Sequence, residues 1–227
     1  MIGPARQLPL DLPHEPSYAR EDFLGAPANA DALRAIEAWP DWPGRMLLLV
    51  GPAGSGKSHL GAIWARRADA AVVEAAALAD ARPADLARCK AILIENADRV
   101  AAAEANLFHL INLARESAAG VLLTARSAPD GWGLSKPDLH SRLRLAPLVA
   151  LGEPDDALAR AVLFKLFSDR QLAVEPAVIA YIALRIERSL SAARAIVEAL
   201  DREALARGKA VTRAMAAMVL KDGAGEG

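Results

Sequence analysis

Short apolar runs alternate with helical patterns along the chain as far as residue 152. The runs of strand length cover residues 46–50, 71–74, 91–94, 120–124 and 148–151, and the helical patterns between them cover 57–67, 83–88 and 101–117. An amphipathic helix is predicted ahead of the first strand, over 29–39. Strands that alternate with helices predict an α/β fold with a parallel sheet and helices on both faces.

The pattern changes beyond residue 152. Segments 155–170, 175–187, 190–207 and 212–220 have helical periodicity, and no strand candidate lies among them. The first 20 residues are rich in proline and have no helical period, which predicts an extended tail. We therefore expect a tail over 1–20, a nucleotide-binding base over 21–152, a small all-α lid over 153–221 and a disordered C-terminus over 222–227.

Composition narrows the class of protein. Lys and Arg number 27 against 28 Asp and Glu, so no net basic charge is present to hold a polyphosphate strand, and no direct, specific DNA binding is expected. The single Cys89 rules out an internal disulfide framework. No apolar run approaches the ~20 residues that span a membrane, and the N-terminus lacks a signal-peptide apolar region. A cytoplasmic location without membrane association is expected.

Residues 51–58 match the phosphate-binding loop pattern G-x-x-x-x-G-K-[ST] at every fixed position. Its glycines let the backbone turn so that successive N–H groups face a phosphate chain, at the start of the next helix. Lys57 would reach the β- and γ-phosphates, and the Ser58 hydroxyl would ligate Mg²⁺. The predicted ligand is a purine nucleoside triphosphate or diphosphate, in contact with Gly51, Gly54, Ser55, Gly56, Lys57, Ser58 and His59.

A nucleotide-hydrolysing site of this type also needs an apolar strand that ends in an acid. The strand over 91–94 is followed by Glu95, which we assign to Mg²⁺, although a solvated strand-end acid is the alternative. Asn96 stands where a general base would activate the attacking water, and general-base catalysis raises the rate about 10²–10⁴-fold. Asp98 lies two residues further on, in a direction that the sequence does not give. We expect nucleotide to be bound well and hydrolysed poorly.

The loop, the acidic strand end and the helical lid together resemble the AAA+ family, and within it the DnaA-related proteins, over about residues 6–220. Residues 22–29 resemble the family's opening segment, which implies that Phe23 and Leu24 surround the adenine. Residues 121–129 resemble its fourth strand, which implies that Thr124 lies near the nucleotide at the sensor-1 position.

The same resemblance implies roles for two arginines. Residues 138–143 resemble the box that carries the arginine finger, which implies that Arg142 is a catalytic group acting on a neighbouring subunit's nucleotide. Arg144 is the competing candidate for this role, and the alternative is that Arg142 is a surface arginine in a loop. Residues 191–194 resemble the start of the third lid helix, with Ser191 as N-cap and Arg194 as the sensor-2 arginine. Arg188 is a weaker candidate, and a solvated helix-face residue is the alternative.

The two ends point to the shortened, Hda-type regulators of this family. We expect the chain to stop after the lid, without the helix-turn-helix DNA-binding domain of an initiator. Residues 7–12 resemble the peptide by which bacterial proteins bind the sliding clamp of DNA polymerase III. A Pro/Leu tail packed on the base is the alternative. The clamp-binding residues would be Gln7, Leu8, Leu10 and Leu12.

The resemblance implies a negative regulator of replication initiation. Anchored to the clamp, it would contact a DnaA-type initiator head-to-tail and use Arg142 to promote hydrolysis of the initiator's ATP, and head-to-tail or homodimeric self-association is a further expectation. Two alternatives stay open. The first is a self-contained AAA+ ATPase or helicase loader, and the second is a minimal initiator-like DNA binder.

Overall fold

A computed structural model describes residues 19–223 of the chain. Within this range the chain forms two compact units, one that extends to Pro154 and one that begins at Asp155. The first unit is an α/β sandwich and the second is entirely helical.

The α/β unit contains five parallel strands in the order β2-β3-β4-β1-β5. The prediction of a parallel sheet covered by helices is confirmed. Each strand lies within one residue of its predicted bounds. The strands are β1 (Met46–Val50), β2 (Ala71–Glu74), β3 (Ala91–Glu95), β4 (Gly120–Ala125) and β5 (Leu148–Ala150).

Burial along the strands follows their place in the sheet. β4 is buried at all six positions and β1 at four of five, because both are central and covered on two faces. β2 and β5 are the edge strands, and each alternates between more and less exposed residues. The core therefore lies on both sides of β1, β3 and β4, and the carboxyl ends of these strands meet at one edge of the sheet.

Five helices belong to the α/β unit. They are α1 (Ala30–Glu37), α2 (Lys57–Ala68), α3 (Pro83–Leu86), α4 (Glu104–Glu116) and α5 (Pro137–Leu145). The segment predicted as a helix over 83–88 is a single turn, and the one predicted over 101–117 begins at Glu104 after a 3₁₀ turn. Helix α5 was not predicted as such; Pro137 occupies its first turn, and Leu139 and Leu143 are its buried residues.

The second unit consists of four helices, α6 (Asp156–Asp169), α7 (Pro176–Ala183), α8 (Leu190–Arg207) and α9 (Arg213–Gly223). Asp155 caps α6 by accepting a hydrogen bond from the Leu158 backbone N–H at 2.7 Å. Gly208 ends α8 in the left-handed conformation. The unit packs around its own apolar core, which includes Leu163, Phe167, Ile182, Val197, Leu200 and Ala216.

Candidate functional site

The phosphate-binding loop lies between the carboxyl end of β1 and the start of α2. The Gly51 backbone N–H donates to the Ala125 carbonyl at 3.1 Å, which ties the loop to the end of β4. A Cβ atom at position 51 would lie 2.6 Å from the Leu151 carbonyl oxygen, so only glycine fits. Gly54 and Gly56 have φ angles of +72° and +103°, which other residues rarely adopt. The sequence pattern therefore has a direct steric cause.

Lys57 is held inside this loop. Its side chain is 9% exposed, and its Nζ donates to the carbonyl oxygens of Gly51 at 2.7 Å and Pro52 at 2.6 Å. Burial lowers the pKa of Lys57, the nearby Asp98 carboxylate opposes that effect, and Arg126 adds to it. A cation in this place is surrounded by loop backbone and is available to phosphate oxygens.

The first turn of α2 has the properties of an anion site. Gly56 is its N-cap and forms no side-chain cap, so the first amides of the helix have no side-chain acceptor there. The Ser55 hydroxyl oxygen is buried and has no hydrogen-bond partner among the described residues. Ser58 is exposed in the same turn. An anion at this helix end would meet amides and hydroxyl groups together.

Glu95 ends β3 at the same edge of the sheet. Its Oε1 atom is buried and has no hydrogen-bond partner within residues 19–223. Ser58 and Glu95 both supply oxygen ligands, which suit Mg²⁺, an ion that takes its other ligands from water and phosphate. Over the described part of the chain no cluster of three or more His, Cys, Asp or Glu residues forms a metal site.

Asn96 turns away from the phosphate-binding loop. It adopts the left-handed conformation with φ of +53°, and its Nδ2 donates to Glu74 Oε2 at the end of β2, at 2.9 Å. Its backbone N–H donates to the Thr124 hydroxyl at 3.3 Å. Thr124, predicted at the nucleotide, is 2% exposed. Its hydroxyl links β4 to the residue that follows β3.

Asp98 is the acidic residue that sequence reasoning left unplaced. Asn96 redirects the chain, and the following 3₁₀ turn carries the Asp98 carboxylate back to β4, where it accepts a hydrogen bond from the Arg126 backbone N–H at 3.1 Å. Its charge acts on Lys57 and raises the pKa of that lysine, against the larger lowering that burial causes. Asp98 and Arg126 therefore belong to the electrostatic environment of the phosphate-binding loop.

The segment predicted to surround the adenine packs against the start of α2. Phe23 is 5% exposed, and its ring meets His59 edge-on with 5.3 Å between centroids. Leu24 is half-buried, and its carbonyl accepts a hydrogen bond from Asn29 Nδ2 at 3.0 Å. The buried Asn29 also accepts from the Ala26 N–H at 2.8 Å, which folds the segment into a compact turn.

Arg142 lies on α5 and not in a loop. Its guanidinium donates to Asn112 Oδ1 and lies over the Phe108 ring with 5.2 Å to the centroid, and both partners belong to α4. Arg142 also lines a cavity with Met46 and Val121, which lie at the amino ends of β1 and β4. It therefore occupies the edge of the sheet opposite to the phosphate-binding loop.

The competitor Arg144 has a different environment. It is 64% exposed, and its Nε lies 3.8 Å from Asp130 Oδ1, which His140 Nε2 approaches to 2.7 Å. This exposed pair holds Arg144 only loosely, whereas a hydrogen bond and a ring fix the guanidinium of Arg142.

Glu104 is a buried positioning residue that the sequence did not indicate. Its side chain is 7% exposed at the start of α4. Its Oε2 accepts from the Ser135 N–H at 3.1 Å and the Ser135 hydroxyl at 2.5 Å, and its Oε1 accepts from the Lys136 N–H at 2.6 Å. Lys136 is the N-cap of α5, so Glu104 fixes the helix that carries Arg142.

The sensor-2 candidate Arg194 lies in the first turns of α8. The predicted N-cap is wrong: Ser189, not Ser191, caps α8, because its hydroxyl accepts from the Ala192 N–H at 3.0 Å. The weaker candidate Arg188 pairs with Asp156 at 3.0 Å, within the helical unit. The clamp-binding residues Gln7, Leu8, Leu10 and Leu12 lie outside the described residues.

Comparisons with known proteins identify the fold. No protein-family model matches the chain, and no curated protein matches it. Domain III of the replication initiation protein DnaA from Thermotoga maritima superposes with a TM-score of 0.78 at 20% identity, over 93% of this chain and 98% of that one. AMPPCP-bound DnaA from Aquifex aeolicus gives 0.70 at 15% identity, over 81% of this chain and 64% of that one.

The Thermotoga maritima RuvB Holliday junction branch migration motor is also similar. It superposes with a TM-score of 0.69 at 17% identity, over 90% of this chain and 72% of that one. The parallel five-stranded sheet with its phosphate-binding loop is thus the AAA+ P-loop NTPase fold, in a DnaA-like form. No helix among residues 19–223 is both long enough and apolar enough to cross a membrane.

Proposed function

We propose that this protein is an Hda-like negative regulator of replication initiation. In this account it binds adenine nucleotide and the DNA polymerase sliding clamp, and it promotes hydrolysis of the ATP bound to a DnaA-type initiator by contributing Arg142. The activity is exerted on the partner's nucleotide, and the chain's own nucleotide stabilises the AAA+ unit that presents Arg142.

The position of Arg142 is the observation that carries the proposal. The phosphate-binding loop follows the carboxyl end of β1, whereas Arg142 lines a cavity with Met46, the first residue of β1. Five residues at about 3.3 Å each separate the two edges by roughly 13 Å along the strand. An arginine placed there suits a nucleotide held by another subunit, where a fixed guanidinium is worth about 10³–10⁵ in rate.

Adenine nucleotide is the proposed ligand of the chain's own loop. The unpartnered Ser55 hydroxyl, the buried Lys57 ammonium and the start of α2, which has no side-chain cap, support this assignment. So does the AMPPCP bound to the similar Aquifex aeolicus initiator. Ser58 and Glu95 would hold Mg²⁺, which when bound neutralises phosphate charge. We propose that Phe23, Leu24 and Arg194 complete the site.

Nucleotide binding is tested by thermal unfolding with and without ADP or ATP. A ligand at 100 times its Kd stabilises the folded state by about 2.7 kcal/mol, so a clear rise in Tm is expected. Lys57→Ala removes the cation and should abolish the rise, whereas Lys90→Ala, an exposed lysine before β3, should keep it. An unchanged Tm in the wild-type protein at millimolar nucleotide would contradict the assignment.

Weak hydrolysis at the chain's own loop is the second part of the proposal. Asn96 has no basicity, and its amide is engaged with Glu74 away from the loop. We expect multiple-turnover phosphate release by the chain alone to be slow compared with an ordinary ATPase.

Clamp binding is proposed from residues 7–12 alone. A peptide of residues 1–16 should bind the purified clamp at micromolar strength or weaker, and the same peptide with Gln7, Leu8 and Leu10 changed to Ala should not bind. Equal binding of both peptides would remove this part of the proposal.

The regulatory activity is tested by following hydrolysis of initiator-bound ATP with and without this protein and clamp-loaded DNA. We expect acceleration that requires the clamp and disappears in Arg142→Ala, while Arg144→Ala, the matched control on the same helix, keeps most of it. Without any acceleration by the wild-type protein the regulatory proposal fails.

A self-contained AAA+ ATPase or helicase loader is the second candidate, and Asp98 is the observation that favours it. Its carboxylate lies beside Arg126 and acts on Lys57, so an acid is present near the phosphates although Asn96 is not one. This candidate predicts ATP turnover by the chain alone that Asp98→Asn abolishes. The regulatory proposal predicts low turnover in both proteins.

A further inference from the structure

A cavity of about 310 Å³ lies within the α/β unit at the amino ends of β1 and β4. The side chains of Met46, Ile111 and Val121 are among its apolar lining. Ile111 and Val121 are nearly inaccessible to solvent, so this part of the cavity is continuous with the core. No nucleotide-binding residue takes part in it.

Two arginines and one leucine also line the cavity: Arg115 from the last turn of α4, and Arg142 and Leu145 from α5. None of the lining residues is acidic. Neither arginine forms an ion pair with a carboxylate of residues 19–223, in contrast to Arg144 and its Asp130. The cavity therefore carries positive charge that the unit itself does not neutralise.

The ends of helices α4 and α5 reduce this positive charge without cancelling it. Both helices end beside the cavity, and a helix C-terminus carries about half a negative elementary charge. Two such ends amount to about one charge, whereas the two guanidinium groups carry two. The net field at the cavity favours a carboxylate.

Leu145 makes the same site attractive to an apolar group. It is 86% exposed, the highest value among the large apolar residues of the described chain. Water molecules along the apolar lining of the cavity find few hydrogen-bond partners. An apolar side chain that displaced them and covered Leu145 would gain free energy by burial.

We infer that this cavity receives an apolar side chain flanked by an acidic residue, contributed by the initiator that the chain contacts head-to-tail. Leu145 and the apolar lining bury the apolar side chain, and Arg115 pairs with the carboxylate. Arg142, whose guanidinium is fixed by Asn112 and Phe108, is thereby aligned with the initiator's nucleotide. The inference rests on the proposed function, which it deepens by assigning Arg115 and Leu145 to partner binding.

The test measures affinity and hydrolysis separately, on the full-length chain. Binding to an immobilised, ATP-loaded DnaA-type initiator gives a Kd for Leu145→Ser and Arg115→Ala. We expect each Kd to rise at least tenfold, since an apolar contact and an ion pair are lost. The matched controls are Leu205→Ser, an exposed leucine of α8, and Arg99→Ala, an exposed arginine after β3. Both should stay within twofold of the wild-type Kd.

Hydrolysis at saturating concentration distinguishes partner binding from catalysis. The maximal rate should fall much less for Leu145→Ser and Arg115→Ala, which keep the Arg142 guanidinium, than for Arg142→Ala, which removes it. If the wild-type protein binds and accelerates while both cavity variants behave like their controls, the inference is wrong and the proposed function stands. If the wild-type protein neither binds nor accelerates, both fail.

Self-association is the remaining outcome. Sedimentation of the chain alone shows whether Leu145→Ser weakens a homodimer. A loss of dimer with unchanged binding to the initiator would assign the cavity to a second copy of this chain and overturn the inference.

Discussion

Replacement of Glu104 by Gln is expected to loosen the helix that carries Arg142. The two carboxylate oxygens accept three hydrogen bonds from Ser135 and Lys136 in a nearly buried site. An amide oxygen can keep the two bonds from Ser135, but the amide nitrogen would then face the Lys136 N–H, donor against donor. One unsatisfied buried donor costs about 1–3 kcal/mol. We therefore expect a loss of about 2 kcal/mol in the free energy of unfolding.

The effect should depend on pH. Burial acts to raise the pKa of Glu104, but the hydrogen bonds from Ser135 and Lys136 outweigh burial and hold the pKa below the usual range. The folded state therefore binds this proton more weakly than the unfolded state. The stabilisation is fully present above the ordinary glutamate pKa of about 4.3 and is lost as the pH falls below it, through the lowered pKa.

Tryptophan fluorescence in urea measures this effect in the right unit, because Trp39, Trp42, Trp64 and Trp132 are the only tryptophans and all precede residue 155. With an m-value of about 2 kcal/mol/M, Glu104→Gln should lower the urea midpoint by about 1 M at pH 7. The difference should shrink at acidic pH. Glu116→Gln, an exposed residue at the end of the same helix, is the control. Equal midpoints for wild type and Glu104→Gln at pH 7 would refute the role of Glu104.

Two further substitutions test the geometry at the edge of the sheet that carries the phosphate-binding loop. Asn96→Asp would place a second carboxylate against Glu74, so we expect it to lower the free energy of unfolding by about 0.5–1 kcal/mol and not simply to restore a base. Glu74→Gln in the same chain should recover this loss, as measured by urea unfolding. Gly51→Ala would bring a Cβ to 2.6 Å from the Leu151 carbonyl and should cost about 1–3 kcal/mol and weaken ADP binding in calorimetry, whereas Gly152→Ala has ordinary contacts and should do neither. Unchanged ADP affinity in Gly51→Ala, or no recovery by Glu74→Gln, would contradict these contacts.

The fold could be predicted from the sequence because its strands are short apolar runs bounded by breakers. The phosphate-binding loop could be predicted because its glycines have steric causes: Gly54 and Gly56 have positive φ angles, and Gly51 leaves room for the Leu151 carbonyl. Helix α5 was harder, since its nine residues include four charged or histidine side chains and only two buried leucines. Its start is held by Glu104, 32 residues before its N-cap, and such a long-range hydrogen bond leaves no local pattern.

The positions of the residues around the phosphate-binding loop also depend on tertiary contacts, which the sequence does not show. Asn96 adopts a left-handed conformation that its residue type does not require. Because the chain turns at this residue, Asp98 and not residue 96 lies beside Arg126. The cap of α8 was placed two residues too late because Ser189 and Ser191 are equivalent candidates in sequence, and their hydroxyls even bond each other at 3.0 Å. Tertiary packing, and not residue type, determines which serine caps the helix and which acidic residue lies beside Arg126.

We propose that Arg142 acts on a nucleotide bound by another protein. This proposal is tested most directly by single-turnover hydrolysis of labelled ATP preloaded on the DnaA-type initiator, with an excess of this chain carrying only ADP and with clamp-loaded DNA. We predict fast hydrolysis with the wild-type chain and a rate lower by about 10³-fold or more with Arg142→Ala. Acceleration by Arg142→Ala equal to that by the wild-type chain would contradict the account.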